Sequence, residues 1–306
     1  MSEWVAASMP TLSAPIRATI LMLGATFISG LQNCLMRLIA DHGIDAFQIT
    51  LFRNLFGLIS VFAIMLWFER RIPGTPWIWL IALSCVLHVA SMLAFIFGLS
   101  LLPLNESAAL AFAAPLFVTI GAALFLGETV RARRWSAVAA GFVGVLIILR
   151  PGVVPVSLGA AMILVSCMIG AAVTLMFKNF AGHERPTTLI FYQCLISTGL
   201  SVPGAAWVWV TPDLPIFAAL ASIGLIGTLG WLAFLRACKL IDASAIQPIE
   251  FVKLPSVAFF AYFMFGEVPD KWVWLGAAVI FSSTLYITHR EAVVARRRAL
   301  APGTER

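Results

Sequence analysis

Long apolar runs, separated by short polar or charged connections, make up most of the chain. A run of about 20 apolar residues crosses a hydrocarbon core of about 30 Å as a helix. Because backbone polar groups in lipid must be paired internally, helices are the natural spanning element, and the alternating strands of a membrane barrel do not occur here. The pattern predicts ten transmembrane helices at residues 17–40, 46–68, 77–99, 105–126, 134–150, 157–179, 187–209, 214–238, 243–266 and 272–289.

The composition agrees with a membrane protein and excludes a soluble domain. Of the 306 residues, 61% are hydrophobic and 11% are charged, and the mean hydropathy is +0.99. Soluble domains average about 25% charged residues. The five cysteines lie in or beside apolar runs without CxxC spacing. We therefore expect no disulfide framework, no metal site and no cofactor.

The net charge of +6 is a sign of membrane orientation. With the N-terminus in the cytoplasm, fifteen of the 20 Lys and Arg residues fall in cytoplasmic connections and tails. Cytoplasmic loops of membrane proteins carry such an excess of positive charge. We therefore expect a multi-pass protein of the bacterial inner membrane with both termini cytoplasmic, in contact with the lipid bilayer and not with nucleic acid.

The two halves of the chain repeat one another. GETVRARRW, from Gly127, aligns with GEVPDKWVW, from Gly266, at a shift of 139 positions, and LAFIFGLSLL, from Leu93, aligns with LAFLRACKLI, from Leu232, at the same shift. Each half holds five predicted helices, and because five is odd the second half enters the membrane from the opposite side. Inverted repeats are typical of secondary transporters that bind substrate near the midplane, between the halves.

The same residues carry a family resemblance. An Arg in the second helix, Arg53, and a Gly-Glu pair that closes the fourth helix (Gly127-Glu128) and the ninth (Gly266-Glu267) resemble the drug/metabolite transporter superfamily, EamA type. The resemblance covers nearly the whole chain. It implies an all-α polytopic membrane protein whose ten transmembrane helices form two inverted five-helix repeats around a central cavity, with helices five and ten at the periphery.

The resemblance also implies a domain layout and a function. We expect a cytoplasmic N-terminal tail at 1–16, a first repeat at 17–150, a second repeat at 157–290 and a basic cytoplasmic tail at 291–306. The ninth-helix region is similar to that of members that carry amino acids, amines or S-adenosylmethionine. The expected function is secondary transport of such a small solute by alternating access, with proton coupling. A larger planar solute such as riboflavin is the alternative.

Two further expectations concern assembly and catalysis. Ala137 with Gly141, and Ala140 with Gly144, give helix five a small-xxx-small spacing, which suits close packing or a homodimer through helices five and ten.

An intramembrane enzyme is the remote alternative, because catalysis would need paired acids, a nucleophile with a base, or a metal cluster. The predicted spans lack such groups and the HExxH and GxSxG motifs, so we expect no enzymatic activity.

Charged residues inside the ninth span are the main candidates for a substrate-binding or coupling site. Gln247, Glu250 and Lys253 are spaced by three, so they share one side of a helix. A charge this deep in the membrane is costly unless it faces a bundle interior or a wet cavity. These residues line the cavity or form a structural Glu250–Lys253 pair, and Glu250 is the candidate for proton coupling. Pro248 and Pro255 are expected to bend the helix beside them.

Arg53 is the candidate from the second helix. It lies about 10 Å deep at a rise of about 1.5 Å per residue, and it has no carboxylate within reach on its own span. Its partner is Glu250 or the anionic group of a substrate, unless its side chain extends to the headgroups. Arg37 and Lys178 are related by the repeat and fall at helix ends, where we expect them to reach the headgroups.

The remaining candidates are uncharged or titrate near neutral pH. His88 falls near the middle of the third span, as a hydrogen-bonded side chain between helices or as a proton-sensitive group. We expect Gln32 and Asn33 either to line the cavity or to join helices through hydrogen bonds. Trp231 lies in the middle of the eighth span. We expect it either to stack on a planar or cationic solute or to pack in the core or against lipid.

Overall fold

The computed structural model describes residues 14–68, 74–125, 132–150, 157–180, 186–240, 252–283 and 286, which are helical apart from short connections. The helices of the first repeat are α1 (Ala14–Asp41), α2 (Ala46–Phe68), α3 (Ile78–Leu101), α4 (Leu104–Ala111), α5 (Ala114–Phe125) and α6 (Ala132–Leu149). The helices of the second repeat are α7 (Leu158–Phe180), α8 (Pro186–Trp207), α9 (Leu214–Leu240), α10 (Lys253–Phe265) and α11 (271–283).

These helices confirm the predicted all-α membrane fold. Within the described ranges, seven segments are long and apolar enough to cross a membrane, and two shorter apolar helices cover Val138–Leu149 and Lys253–Phe265. Each predicted span has a helix, with two differences in detail. The fourth span consists of α4 and α5 together, and the described part of the ninth span is α10.

The fourth span is interrupted near its middle. Phe112 and Ala113 form a turn between α4 and α5. The N–H of Phe112 donates to the carbonyl of Ala109, three residues back, instead of the residue four back. Pro115 is the second residue of α5, where a missing N–H breaks no helical hydrogen bond. The span is therefore two helices joined at membrane depth.

The helix α10 begins at the position equivalent to the start of α5. Lys253, the first residue of α10, corresponds to Ala114, the first residue of α5, at the repeat shift of 139. Pro255 is the third residue of α10 and lies in its first turn, so its missing N–H also breaks no helical bond. Pro255 therefore lies in the first turn of the described helix, and the predicted bend of the ninth span beside Pro248 and Pro255 stays a prediction.

The helix contacts follow the symmetry of the two repeats: the main contacts between helices have counterparts between their equivalents. α3 packs along α7, and the equivalent helices α9 and α1 pack along each other. α4 and α5 contact α7 as α10 contacts α1, and α2 packs on its own equivalent, α8. The main partner of each of these helices thus belongs to the other repeat, and the two halves are interlocked.

Small residues sit at equivalent close contacts. A Cβ on Gly98 of α3 would lie only 2.8 Å from the carbonyl oxygen of Gly159 on α7. The equivalent contact between α9 and α1 holds two fully buried alanines, Ala237 and Ala18. Small residues let backbones approach closely, which is how membrane helices gain packing energy where no hydrophobic effect acts between them.

The small residues of α6 are used within the chain. A Cβ on Gly144 would lie 2.8 Å from the carbonyl oxygen of Gly276 on α11, and one on Gly141 would lie 3.1 Å from Oγ of Ser283. Helix five therefore packs on helix ten through this spacing. A homodimer through the two helices would have to use their remaining faces.

Packing is densest toward one end of the bundle. We call the end that carries Asp41, Trp207 and Glu267 the Asp41 end, and the end that carries Phe68 and Leu240 the Leu240 end. Most of the largest fully buried side chains lie in the half nearer the Asp41 end, including Ile39, Ile49, Leu99, Leu104 and Ile163. The bundle is therefore closed at the Asp41 end by a continuous apolar core shared by both repeats.

Candidate functional site

Arg53 points into the helix bundle. Its backbone carbonyl faces α9 at Gly224, where a Cβ would lie 2.9 Å from that oxygen. Its Nη1 lies 3.0 Å from the Sδ of Met92 on α3. Its Nε is buried and has no hydrogen-bond partner among the described residues. Since a thioether is a weak acceptor and a guanidinium prefers carboxylates, Arg53 retains donors for an anion.

His88 and Cys194 lie beside Arg53. His88 is one turn from Met92 on the same side of α3, and its ring interacts electrostatically with Arg53. Cys194 of α8 also interacts with Arg53. The structure thus brings together two predicted residues, Arg53 and His88, with Met92 and Cys194, which sequence reasoning did not single out because both read as ordinary apolar packing.

Lys253 lies beside the interruption of the fourth span. It is partly buried at the start of α10 and interacts electrostatically with Cys167 of α7. The Sγ of Cys167 lies 3.9 Å from the carbonyl oxygen of Leu110 and 3.8 Å from that of Ala111. The last carbonyls of α4 and the Cys167 thiol therefore lie at the interruption of the fourth span, and the Lys253 ammonium group interacts with that thiol from the start of α10.

The remainder of the predicted ninth-span site falls outside the described residues. Gln247, Pro248 and Glu250 belong to this segment. Whether Glu250 pairs with Lys253, pairs with Arg53 or lines a cavity stays a prediction.

Gln32 and Asn33 have different surroundings, although they are adjacent. Nε2 of Gln32 donates to the carbonyl of Ile223 on α9 at 3.0 Å, so Gln32 joins α1 to α9. Asn33 is turned about 100° from it and is 5% exposed. It lies between the side of α1 that contacts α9 and the side that contacts α10 through Gly30. Of the two amides, Asn33 is the one on the interior side.

Trp231 lies on α9 away from Arg53. It is 47% exposed, and its ring stacks on that of Phe234 with centroids 5.3 Å apart and planes 12° apart. It lies seven residues beyond Gly224, the residue beside Arg53, in the direction of the Leu240 end.

Arg37 ties α1 to α3 at the Asp41 end. Its Nε lies 2.9 Å from a carboxylate oxygen of Asp41, and its Nη1 donates to the carbonyls of Leu99 and Leu102. Those carbonyls belong to the end of α3, where they have no helical partner. Arg37 caps that helix, so the prediction that it reaches the headgroups is wrong.

Two further ties cross between the repeats at the same end. Gln48 of α2 donates from Nε2 to the carbonyl of Val210 at 2.7 Å and accepts from the N–H of Val210 at 3.1 Å. Glu267, after α10, accepts from the N–H of Leu104 at 2.8 Å. Sequence reasoning missed Gln48, although an amide between apolar residues in a membrane span was a usable signal.

Asn105 is a buried amide in α4 that sequence reasoning also missed. It is 2% exposed, and neither its Oδ1 nor its Nδ2 has a hydrogen-bond partner among the described residues. A buried polar group without a partner is costly, so Asn105 is a position where an apolar side chain is expected to be tolerated or preferred.

Comparison with known proteins agrees with this architecture. The family model for the EamA-like transporter family matches residues 16–150 and 157–289, one match in each half of the chain. A solved crystal structure of a protein superposes on this chain with a TM-score of 0.60 at 17% sequence identity. The match covers 93% of this chain and 99% of that chain. That likeness concerns the fold alone.

Named relatives of the chain are transporters. It is 29% identical to the S-adenosylmethionine uptake transporter of Rickettsia bellii, over 87% of this chain and 91% of that protein. It is 35% identical to the riboflavin transporter of Rhizobium johnstonii, over 67% and 68%, and 24% identical to the pseudopaline exporter of Pseudomonas aeruginosa, over 84% and 90%. The family and these relatives support the prediction of a transporter over that of an enzyme. The chain belongs to the EamA-like transporter family.

Proposed function

We propose that the protein carries a small organic metabolite with an anionic group across the membrane by alternating access. The observation that carries the proposal is Arg53. A guanidinium inside the bundle, in contact with a thioether and with a buried Nε that has no partner among the described residues, is costly unless an anion binds there. A solute carboxylate would supply the bidentate partner that Arg53 does not find among the described residues.

Amino acids, amines with a carboxylate, and S-adenosylmethionine-like solutes form the proposed substrate class. The S-adenosylmethionine uptake transporter among the relatives supports this choice, since its match covers 91% of that protein. A larger planar solute such as riboflavin is the second candidate, supported by the riboflavin transporter among the relatives. Relatives named for uptake and for export both occur, so no direction of transport is proposed.

The proposed setting is the bacterial inner membrane with both termini in the cytoplasm. The positive charge of the connections supports this orientation. The Leu240 end would then face the cytoplasm, and the ties made by Arg37, Gln48 and Glu267 would lie on the far side. In this orientation the structure corresponds to a state closed to the outside, and exchange of conformations between the interlocked repeats would open the other end.

Glu250 and His88 are the proposed proton-coupling groups. Intramembrane carboxylates and histidines serve as proton relays in transporters. Solute flux into proteoliposomes under an imposed pH gradient tests this. Glu250→Gln should uncouple flux from the gradient, and a Glu250→Gln variant that keeps the parent's pH dependence would refute the coupling role.

A homodimer is the proposed assembly, through the faces of α6 and α11 that are not used within the chain. Light scattering of the detergent-purified protein tests it. A mass of one chain per particle at all accessible concentrations would contradict it.

Flux measurements test the transport function itself. Purified protein in proteoliposomes is expected to give saturable uptake of at least one of radiolabelled S-adenosylmethionine, an amino acid and riboflavin. Protein-free vesicles provide the baseline. Uptake at that baseline for all three classes, by protein that is folded and correctly inserted, would contradict the proposal.

A further inference from the structure

Trp231 lies on the side of α9 that faces the other helices. Gly224 and Gly227, seven and four residues earlier, share that side, and a Cβ on either would collide with α2 or α1. The opposite side of α9 carries Leu225 and Leu229, which are exposed on the surface that lipid would cover. At a packed level of the bundle, a tryptophan on the inward side would be buried.

The bundle is open at the level of Trp231. Trp231 is 47% exposed, whereas Leu220, on the same side of α9 and three turns nearer the Asp41 end, is 0% exposed. The space between α9, α1 and α2 therefore closes toward the Asp41 end and opens toward the Leu240 end. A solute that enters from the Leu240 end meets Trp231 before it reaches Arg53.

Trp231 and Phe234 form a flat aromatic surface. Their rings are nearly parallel, with 12° between the planes. Phe234 packs against the buried pair Ala18 and Met22 of α1, which holds the surface in place from one side. The exposed part of Trp231 remains available. Aromatic faces of this kind stack on planar heterocycles and attract cations.

The aromatic surface lies about two helical turns along α9 from the level of the Arg53 backbone. Gly224 is beside the Arg53 carbonyl, and Trp231 is seven residues further along α9, which corresponds to about 10 Å. The repeat equivalent of Trp231 is Met92, the residue that contacts Arg53. Trp231 therefore holds, in the second half, the position that Met92 holds beside Arg53 in the first half.

We propose that Trp231 and Phe234 form a stacking subsite for a planar ring of the transported solute, while Arg53 binds an anionic group of the same molecule. This inference rests on the proposed transport function and narrows its substrate class. The solute would carry both a planar ring and an anionic group. A solute with only one of these groups would use only one of the two subsites.

Calorimetric binding of three probes to the purified protein tests the subsite. S-adenosylmethionine carries a planar base and a carboxylate, adenosine carries the base alone, and methionine carries the carboxylate alone. Trp231→Leu is expected to weaken binding of the two base-containing probes about tenfold and to leave methionine unchanged. Trp231→Phe should keep binding within about threefold of the parent. Trp207→Leu, at a 90% exposed position at the end of α8, is the matched control and should change nothing.

The outcomes separate the subsite from the transport function. Equal weakening for all three probes, or unchanged binding of the base-containing probes in Trp231→Leu, overturns the stacking subsite and leaves transport intact. Saturable flux confined to solutes without a planar ring does the same. If no probe binds and no solute moves, both the subsite and the transport function are contradicted.

Discussion

The carboxylate of Glu267 accepts a hydrogen bond from the backbone N–H of Leu104 at 2.8 Å, so the end of the ninth span caps the start of the fourth. Gly266, the residue before it, ends α10 in the left-handed conformation at φ 68°. Gly allows that backbone conformation at little cost. The Gly-Glu pair therefore has two roles, since the Gly ends one helix and the Glu caps another, in the opposite repeat.

Removal of this cap should destabilise the protein. Glu267→Ala leaves the Leu104 N–H without its acceptor and removes a negative charge from a helix N-terminus, at a cost of about 1 kcal/mol. Glu267→Gln keeps an acceptor oxygen and should lie between Ala and the parent. Thermal unfolding of the detergent-purified protein measures the order. Val268→Ala, at an exposed neighbouring position, is the control, and equal melting temperatures for all four proteins would show that the cap is not used.

Loss of Gln48 should loosen the Asp41 end. Its amide satisfies both the N–H and the carbonyl of Val210, so Gln48→Leu removes two hydrogen bonds between the repeats. Amide hydrogen exchange at residues 208–213 is expected to become faster. Gln32→Leu, which cuts a tie in the middle of the bundle, should leave exchange in this segment unchanged. Unchanged exchange in Gln48→Leu would mean that this tie does not hold the end closed.

Sequence patterns predicted the membrane fold well because lipid imposes a simple rule on it. Apolar length places each span, and the repeated Gly-Glu pair fixes the register of the halves. The contacts between repeats are harder to predict. Arg37 caps α3 because α3 ends close to it in space. From the sequence alone, a cation near a helix end is equally consistent with a side chain that reaches the headgroups.

Glycines at the contact between the repeats should differ sharply from glycines on the surface. A Cβ on Gly98 would lie 2.8 Å from a backbone oxygen, which cannot move aside easily, whereas one on Gly199 meets nothing within 4 Å. Gly98→Ala is expected to cost roughly 1–3 kcal/mol through overpacking. Gly199→Ala should be neutral or stabilising, since Ala favours a helix over Gly. Melting temperatures compare the pair, and equal effects would contradict the close α3–α7 contact.

Replacement of Asn105 should stabilise the described conformation. Asn105→Leu removes a buried amide without partners among the described residues and keeps a similar volume, so it avoids a penalty of about 1–3 kcal/mol. Asn54→Leu is the matched control, because Asn54 is equally buried and its amide donates to the Thr50 carbonyl. A higher melting temperature is expected for Asn105→Leu and not for Asn54→Leu. A fall in both would show that Asn105 is paired.

The candidate site was predictable only in part. Arg53, Lys253 and His88 stand out because charged or titratable groups are rare in lipid. Met92, Cys194 and Cys167 do not stand out, since in any apolar run they read as packing. Their roles come from the crossing of helices that are distant in sequence, as when α3 brings Met92 to Arg53 of α2. Periodicity along a single span carries no information about that crossing.

The most direct measurement compares one solute with and without its charge. Proteoliposomes containing the parent or Arg53→Gln are assayed for flux of a carboxylate solute, S-adenosylmethionine, and of its methyl ester. We predict saturable flux of the carboxylate by the parent, at least a tenfold loss of that flux in Arg53→Gln, and little change in the flux of the ester. Equal flux of the carboxylate by parent and variant, or an equal loss for both solutes in a protein that melts normally, would contradict it.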